Sequence, residues 1–340
     1  MTDHDDSRTN HPGLTSGARS PRRIAFMNQK GGVGKTTTTV NLAAAHAEMG
    51  IPTLVVDLDP QAHASLHLGV DPSDRMDDSS VYDILLDPGA HDHAPIHDAI
   101  VPVTEHLFCL PSETDLAAAE FELGSEADRF TRLRTALDSL GDRFGAVFFD
   151  CPPSLGLLTL NGLSAATEVI IPMQAHYLAL QGVGKLLETI GLLTRGDRAI
   201  NPDLTVAGVV VCMHDHQAAH TREVVEDLET FFAEAKEMPG LPWSNARVFE
   251  PAIRRNIKLA ECPSFGQTIF QYAPDANGAK DYAALAETVF GGTKPESSLD
   301  TESAASAATD NPEASDAAEA PAPEPAAEVH VVTDRVAESA

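Results

Sequence analysis

Apolar runs and helix-period stretches alternate along most of the chain. Ile24 to Phe26 is a short apolar run that passes through a glycine-rich turn into Lys35 to Ala47. There Val40, Ala43, Ala44 and Ala47 recur at i, i+3, i+4 and i+7, a face of small residues that lets a helix lie close to a sheet, and Gly50 ends the pattern. Thr53 to Asp59 is nearly continuous in apolar residues, as in a strand buried on both faces. The same reading predicts strands over 106–110, 146–150, 168–172 and 204–213. It predicts helices over 81–87, 116–140 with a break near Gly124, 155–165, 178–193, 222–235 and 279–290. This order implies an α/β fold, a mostly parallel, twisted sheet with helices on both faces.

Both ends fall outside the pattern. Residues 1–21 are polar, carry Pro and Gly and have no period, which reads as a disordered arm. Residues 291–340 are Ala, Pro, Glu, Ser and Asp without an aromatic, too little apolar surface to fold, so the folded domain is expected over 22–290. The formal net charge is −28; the tail holds 11 acids and two bases and the first 23 residues three acids and four bases, so most of the excess lies in the middle. Bulk charge therefore opposes polyanions, and contact with nucleic acid needs a local basic patch and should be salt-sensitive. Cys109, Cys151, Cys212 and Cys262 are scattered without a C-x-x-C pair, the usage of reduced thiols in the cytosol. No apolar stretch reaches ~18 residues and the N-terminus lacks an apolar h-region, so the chain is expected to be soluble, cytoplasmic and not exported. His91, His93 and His97, and the run 213–220, fit a solvated loop and a strand-to-helix turn better than metal sites, because no Cys or second His cluster completes either.

Candidate chemistry concentrates at strand ends. In the turn after Ile24 to Phe26, Gly31, Gly32 and Gly34 flank Val33 and lack Cβ, so the backbone can wrap a phosphate and aim its N–H groups at it. Lys35 supplies charge for β and γ phosphates, Thr36 a hydroxyl for Mg²⁺, and Thr37 continues into a helix whose N-terminus favours anions. The usual pattern G-x-x-x-x-G-K-[ST] requires glycine at position 29; this chain has Gln29 followed by Lys30. A lysine there lies poorly for its own nucleotide but can reach one held by a second subunit. Asp57 and Asp59 alternate to one side of their strand, suited to metal and water positioning or, alternatively, to capping a helix. Asp150 ends an apolar strand that Pro152 and Pro153 cut off, as an acid holding Mg²⁺ through water would. If 252–260 is helical, Arg254 and Lys258 share a face beside Arg255; phosphate contact and ion pairing with Glu250 and Glu261 fit equally.

KGGVGKTT at 30–37, VVDLDPQ at 55–61, FFDCPPSLGLLTLN at 148–161 and IKLAECPSFGQTI at 257–269 together resemble the ParA/Soj partitioning ATPases of the deviant-Walker P-loop superfamily, in order over residues 22–290. The resemblance implies ATP and Mg²⁺ as ligands. It implies Lys30 as the lysine that crosses a dimer interface, Gly31 to Thr37 as the phosphate cradle, Asp59 as the carboxylate orienting water, Asp57 as its neighbour and Asp150 as the second-motif acid. It further implies ATP-driven dimers that bind DNA non-specifically on the nucleoid and are released by hydrolysis that a ParB-type partner stimulates. Arg222, Arg254, Arg255 and Lys258 are the candidate DNA contacts. The chain departs from the family pattern in three places: His214-Asp215-His216-Gln217 where relatives are basic, one extra base in Ile253 to Leu259, and an insertion at 238–245. Three rivals share the loop. A MinD-like membrane-cycling ATPase needs a basic amphipathic C-terminal helix, which an acidic tail does not supply. A metabolic ligase needs an acceptor pocket. An orphan regulator of replication or chromosome organisation needs no ParB.

Overall fold

The first strand, β1 (Arg22–Phe26), lies between two parallel neighbours, β5 (Ala146–Asp150) and β6 (Glu168–Met173), and its alternating side chains feed two separate cores. The computed structural model describes residues 21–75, 79–89, 96–196, 199–215 and 219–291. By its contacts the chain divides into Met1–Lys294 and Pro295–Ala340, and every described residue belongs to the first unit. The expected arm up to residue 20 and the tail from 292 lie outside the described residues, as do His91, His93 and His216.

Among the described residues eight strands form one sheet. Its order is β3 (Val101–Pro102), β4 (Leu107–Leu110), β2 (Thr53–Asp57), β5, β1, β6, β7 (Thr205–Val211), β8 (Arg247–Phe249). Every adjacent pair is parallel except β3 with β4. Ile24, Phe26, Val55, Phe148, Ile170 and Val210 face one side, against α1 (Lys35–Glu48) and α12 (Asn277–Phe290). Ala25, Met27, Val56, Phe149, Ile171 and Val209 face the other, under α3 (Val81–Leu86), α6 (Arg132–Asp138), α7 (Leu157–Ala165), α8 (Tyr177–Thr194) and α9 (Ala219–Lys236). The period of two along each strand thus makes a three-layer molecule. On the first face Phe26 stacks on Phe148 at 5.5 Å and Phe290 closes on Phe148 at 5.8 Å. Full burial of each such ring is worth roughly 2–3 kcal/mol.

Several expected elements differ in extent. The stretch 116–140 holds only α5 (Ala119–Glu122), preceded by a 3₁₀ turn, and then α6, with turns between, so the break near Gly124 is wider than its periodicity suggests. β2 stops at Asp57, because Asp59 already belongs to a turn in which Ala62 accepts a left-handed φ of 53° and starts α2 (His63–His67). The strip 252–260 is not one helix: Arg254 forms a bridge with His214 beyond β7, and only α10 (Ile257–Glu261) is helical there. Two- and three-residue strands such as β3 and β8 are too short to show a period. The remaining helices are α4 (Ile96–Ala99) and α11 (Ile269–Tyr272).

Connections run from β1 outward to β2 on one side, while β6 and β7 follow on the other. The sheet order therefore reverses beside β1, where open α/β sheets leave a crevice beyond the C-terminal strand ends.

Candidate nucleotide site

The glycine-rich turn sits at that crevice. Gly32 and Gly34 hold φ of 71° and 93°, a region where an L side chain meets its own carbonyl, so the turn requires glycine at both. A Cβ at Gly34 would also lie 3.2 Å from the Cβ of Cys212 on the β7 side. Gly34 occupies the N-cap of α1 and no side chain caps that helix, which leaves its leading N–H groups for an anion.

Asp150 organises the floor. It is fully buried at the end of β5, where Thr36 donates its hydroxyl to Oδ2 at 2.7 Å and Thr39 to Oδ1 at 3.1 Å. Lys35 Nζ lies 3.7 Å from Oδ1. Burial pushes the Asp150 carboxyl above its usual range, against the pull of Lys35, Thr36 and Thr39. Thr36 and Asp150 are hard oxygen donors of the kind Mg²⁺ takes, and two are too few to hold it without phosphate or water. No group of three or more His, Cys, Asp or Glu that could hold a metal occurs among the described residues.

Asp57 lies beside Asp150 in the β2–β5 register, yet its oxygens turn elsewhere. Oδ2 accepts the Ser65 N–H and hydroxyl, both at 2.8 Å, and Oδ1 accepts the Asp59 N–H at 3.1 Å. Burial, then repulsion from Asp150, raises it to about 7. Asp59, beyond the strand end, takes the Gln61 N–H on Oδ1 at 3.1 Å and faces the crevice. The strand ends at Asp57, and the turn that follows begins at Asp59, whose carbonyl accepts the Ala62 N–H at 2.8 Å.

The crevice is a cleft of about 700 Å³ whose walls include Lys30, Lys35, Thr36, Thr37, Asp59 and Pro153. A more apolar recess of about 380 Å³ adjoins it across Gly34 and Thr37, with Met213, Ile253, Asn256 and Tyr282 among its walls. A glycine-rich turn with free helix N–H groups, opening onto a more apolar recess, is a concave site of the size small ligands take.

Residues 21–206 match the family described as AAA domain. The chromosome partitioning protein ParA of Myxococcus xanthus (strain DK1622) is 39% identical over 277 residues, 81% of this chain and 90% of that protein. The protein Soj of Bacillus subtilis (strain 168), described as a sporulation initiation inhibitor, is 40% identical over 267 residues, covering 78% and 97%. The chain belongs to the ParA/Soj family of chromosome-partitioning ATPases. Among solved structures it is similar to one from Mycobacterium smegmatis described as cobyrinic acid a,c-diamide synthase with bound ATP analogue and magnesium. That chain is 37% identical with a TM-score of 0.64, over 79% of this chain and 94% of its own length.

In this ParA/Soj chain the crevice is lined by Lys30, the loop glycines, Lys35, Thr36, Thr37 and Asp59, with Asp150 buried beneath and Asp57 turned to Ser65, whereas the basic residues scatter. Arg254 forks onto Asp281 of α12, with Nη2 at 2.6 Å from Oδ1 and Nε at 3.0 Å from Oδ2. Its partner is thus neither Glu250 nor Glu261, because Arg254 lies outside α10. Lys258 does pair with Glu261, at 2.8 Å. Arg222 on α9 and Arg255 make no ion pair among the described residues. His97 is exposed on α4.

Sequence reasoning missed Thr39, Ser65, Gln174 and His176. Thr39 was within reach, since it follows Thr36 by three positions on one helix face. The others act across 8 to 146 residues of chain and leave no local signal.

Proposed function

We propose that this chain is a dimerising ATPase of chromosome or plasmid partitioning, which binds DNA non-specifically as its ATP form and lets go on hydrolysis. The observation that carries the reading is the division of labour between two lysines. Lys35 is buried against Asp150, while Lys30 stands exposed at the mouth of the same cleft, outside the Asp150 cluster.

In this reading Gly31 to Thr37 cradle the phosphates and Lys35 neutralises the β and γ oxygens. Thr36 and Asp150 would hold Mg²⁺, whose charge offsets that of the phosphates. Asp59 positions the attacking water at the cleft wall, and Asp57, tied to Ser65, keeps the turn that carries Asp59 in place. Lys30 reaches the nucleotide of a second copy. A cation delivered this way is worth about 10³ to 10⁵ in phosphoryl-transfer rate, so hydrolysis depends on dimerisation. A ParB-type partner sets when it occurs. The recess beside Gly34 takes the base. For DNA we favour Arg222 and Arg255 over Arg254 and Lys258, whose charges are already paired. No described helix is long and apolar enough to cross a membrane.

A second reading has one observation in its favour: the Mycobacterium smegmatis neighbour is described as a synthase. Turnover by this chain would then require a small-molecule acceptor.

The discriminating experiment uses Asp59→Ala, expected to retain ATP and accumulate as a dimer by light scattering. The variant is sedimented with plasmid DNA or anionic liposomes at two salt concentrations. ATP-dependent, salt-sensitive pelleting with DNA supports partitioning. Pelleting with lipid alone, or wild-type turnover only with an added acceptor, overturns it.

A further inference from the structure

Lys30 is held by a residue 146 positions away. Its Nζ lies 2.6 Å from Nε2 of His176, the residue that precedes α8 as its N-cap. A lysine ammonium has three donors and no acceptor, so the direction of this bond is settled by chemistry: Lys30 donates, and the imidazole accepts on Nε2 with its proton on Nδ1. The contact belongs to a seam. The Lys30 N–H donates to Asn28 Oδ1 at 3.0 Å, Asn28 Nδ2 donates to the Pro172 carbonyl at 2.8 Å, and Gln174 Nε2 donates to the Gly32 carbonyl at 3.0 Å. The stretch from Pro172 to His176, the end of β6 and its link to α8, is thereby stitched to the phosphate loop at three points.

We infer that His176 is a positioning residue for Lys30, holding its ammonium within its own subunit until a phosphate of a second copy replaces the imidazole as acceptor. This rests on the reading in which Lys30 acts in trans. The physical argument is one of exchange. In this reading Lys30 extends toward the other subunit's nucleotide and leaves His176, so dimerisation breaks one Lys30–His176 bond in each subunit. A contact present in each monomer and absent from the dimer is lost twice per dimer, so it shifts the equilibrium toward the monomer by twice its own net strength. For a charge-assisted bond at a partly exposed place that is about three- to tenfold per subunit, hence about ten- to hundredfold in the dimerisation constant.

The test measures dimerisation of the full chain with a non-hydrolysable ATP analogue by sedimentation equilibrium, for wild type, His176→Leu, His176→Gln, Lys30→Ala and the Lys30→Ala/His176→Leu double variant. Analogue affinity of the monomers and thermal melts accompany it, to separate the effect from loop damage. His176→Leu, which has no acceptor, should dimerise about ten- to hundredfold more tightly. His176→Gln, whose amide oxygen can take the same proton, should stay near wild type. In the Lys30→Ala background, His176→Leu should change nothing. A His176→Leu constant equal to wild type, or an equal shift with and without Lys30, overturns the holding role while leaving the trans role of Lys30 intact. Lys30→Ala that hydrolyses ATP and dimerises like wild type overturns the trans reading, and the holding role with it.

Discussion

At Gly34 a backbone angle, a neighbour and a ligand surface meet in one residue. Its φ of 93° disfavours any L side chain, and a would-be Cβ would lie 3.2 Å from that of Cys212, close enough that the neighbour must give way. Gly34→Ala is expected to lower stability by about 1–2 kcal/mol through the left-handed backbone, and to weaken nucleotide binding because the loop must shift. Urea unfolding read beside a fluorescent-nucleotide titration checks both; an alanine variant with unchanged nucleotide affinity would show that the loop is not the cradle. The glycine requirement was legible in the sequence as the motif itself. That the residue crowding Gly34 is Cys212, 178 positions on, was not, because it depends on β7 ending beside α1.

Among the elements, the segment between β8 and α10 behaves least as its composition suggests. Three cations in five residues read as a charged helix face, but the chain bridges to His214 and spends Arg254 on Asp281 before α10 begins. An isolated five-residue helix is marginal in water, so the segment follows its tertiary partners rather than its propensity. The expected outcome is a split between neighbours. Arg254→Ala should lower the melting temperature while leaving the salt dependence of DNA binding unchanged. Arg255→Ala should reduce the slope of log affinity against log salt by about 0.9, the loss of one phosphate contact. Equal slopes for the two variants would remove Arg255 from the DNA surface. Elsewhere the long helices were legible because α8, α9 and α12 carry several turns of period, whereas α2, α4, α5 and α11 carry barely one.

At the scale of the whole molecule, the two cores enclose ionisable groups that make folding depend on pH. His46 sits edge-on to Phe290 at 4.6 Å with Nδ1 2.7 Å from Thr53 Oγ1, and burial, helped by Arg22, lowers it from 6.5 to about 4. Burial lowers His67 to about 4 as well, beside the thiol of Cys262. Both fold as neutral rings and both charge more easily when unfolded. Their contribution is therefore fully present above pH 6.5 and is lost as pH falls toward 4, on the order of 3 kcal/mol each. Asp57 and Asp150, whose carboxyls burial raises, work in the opposite sense over the same range, so the check is a difference: between pH 6.5 and 4, urea unfolding of the wild type should lose about 3 kcal/mol relative to His46→Phe, the carboxyls being common to both. An acid limb of unchanged steepness in that variant would assign the loss to other groups. The excess of 51 acids over 23 bases adds no attraction for polyanions, so any DNA surface has to be local and salt-sensitive.

By itself the sequence determined the alternating α/β order, the parallel sheet, the glycine-rich loop with its second lysine, and the acids closing β2 and β5. These follow from period, steric freedom and charge, all properties of neighbouring residues. Only the tertiary structure decided that Asp150, not Asp57, turns to Thr36 and Lys35, that Asp281 takes Arg254, and that His176 takes Lys30. Each of those is a choice among partners distant in sequence, made by which strand ends and helix starts come to lie side by side.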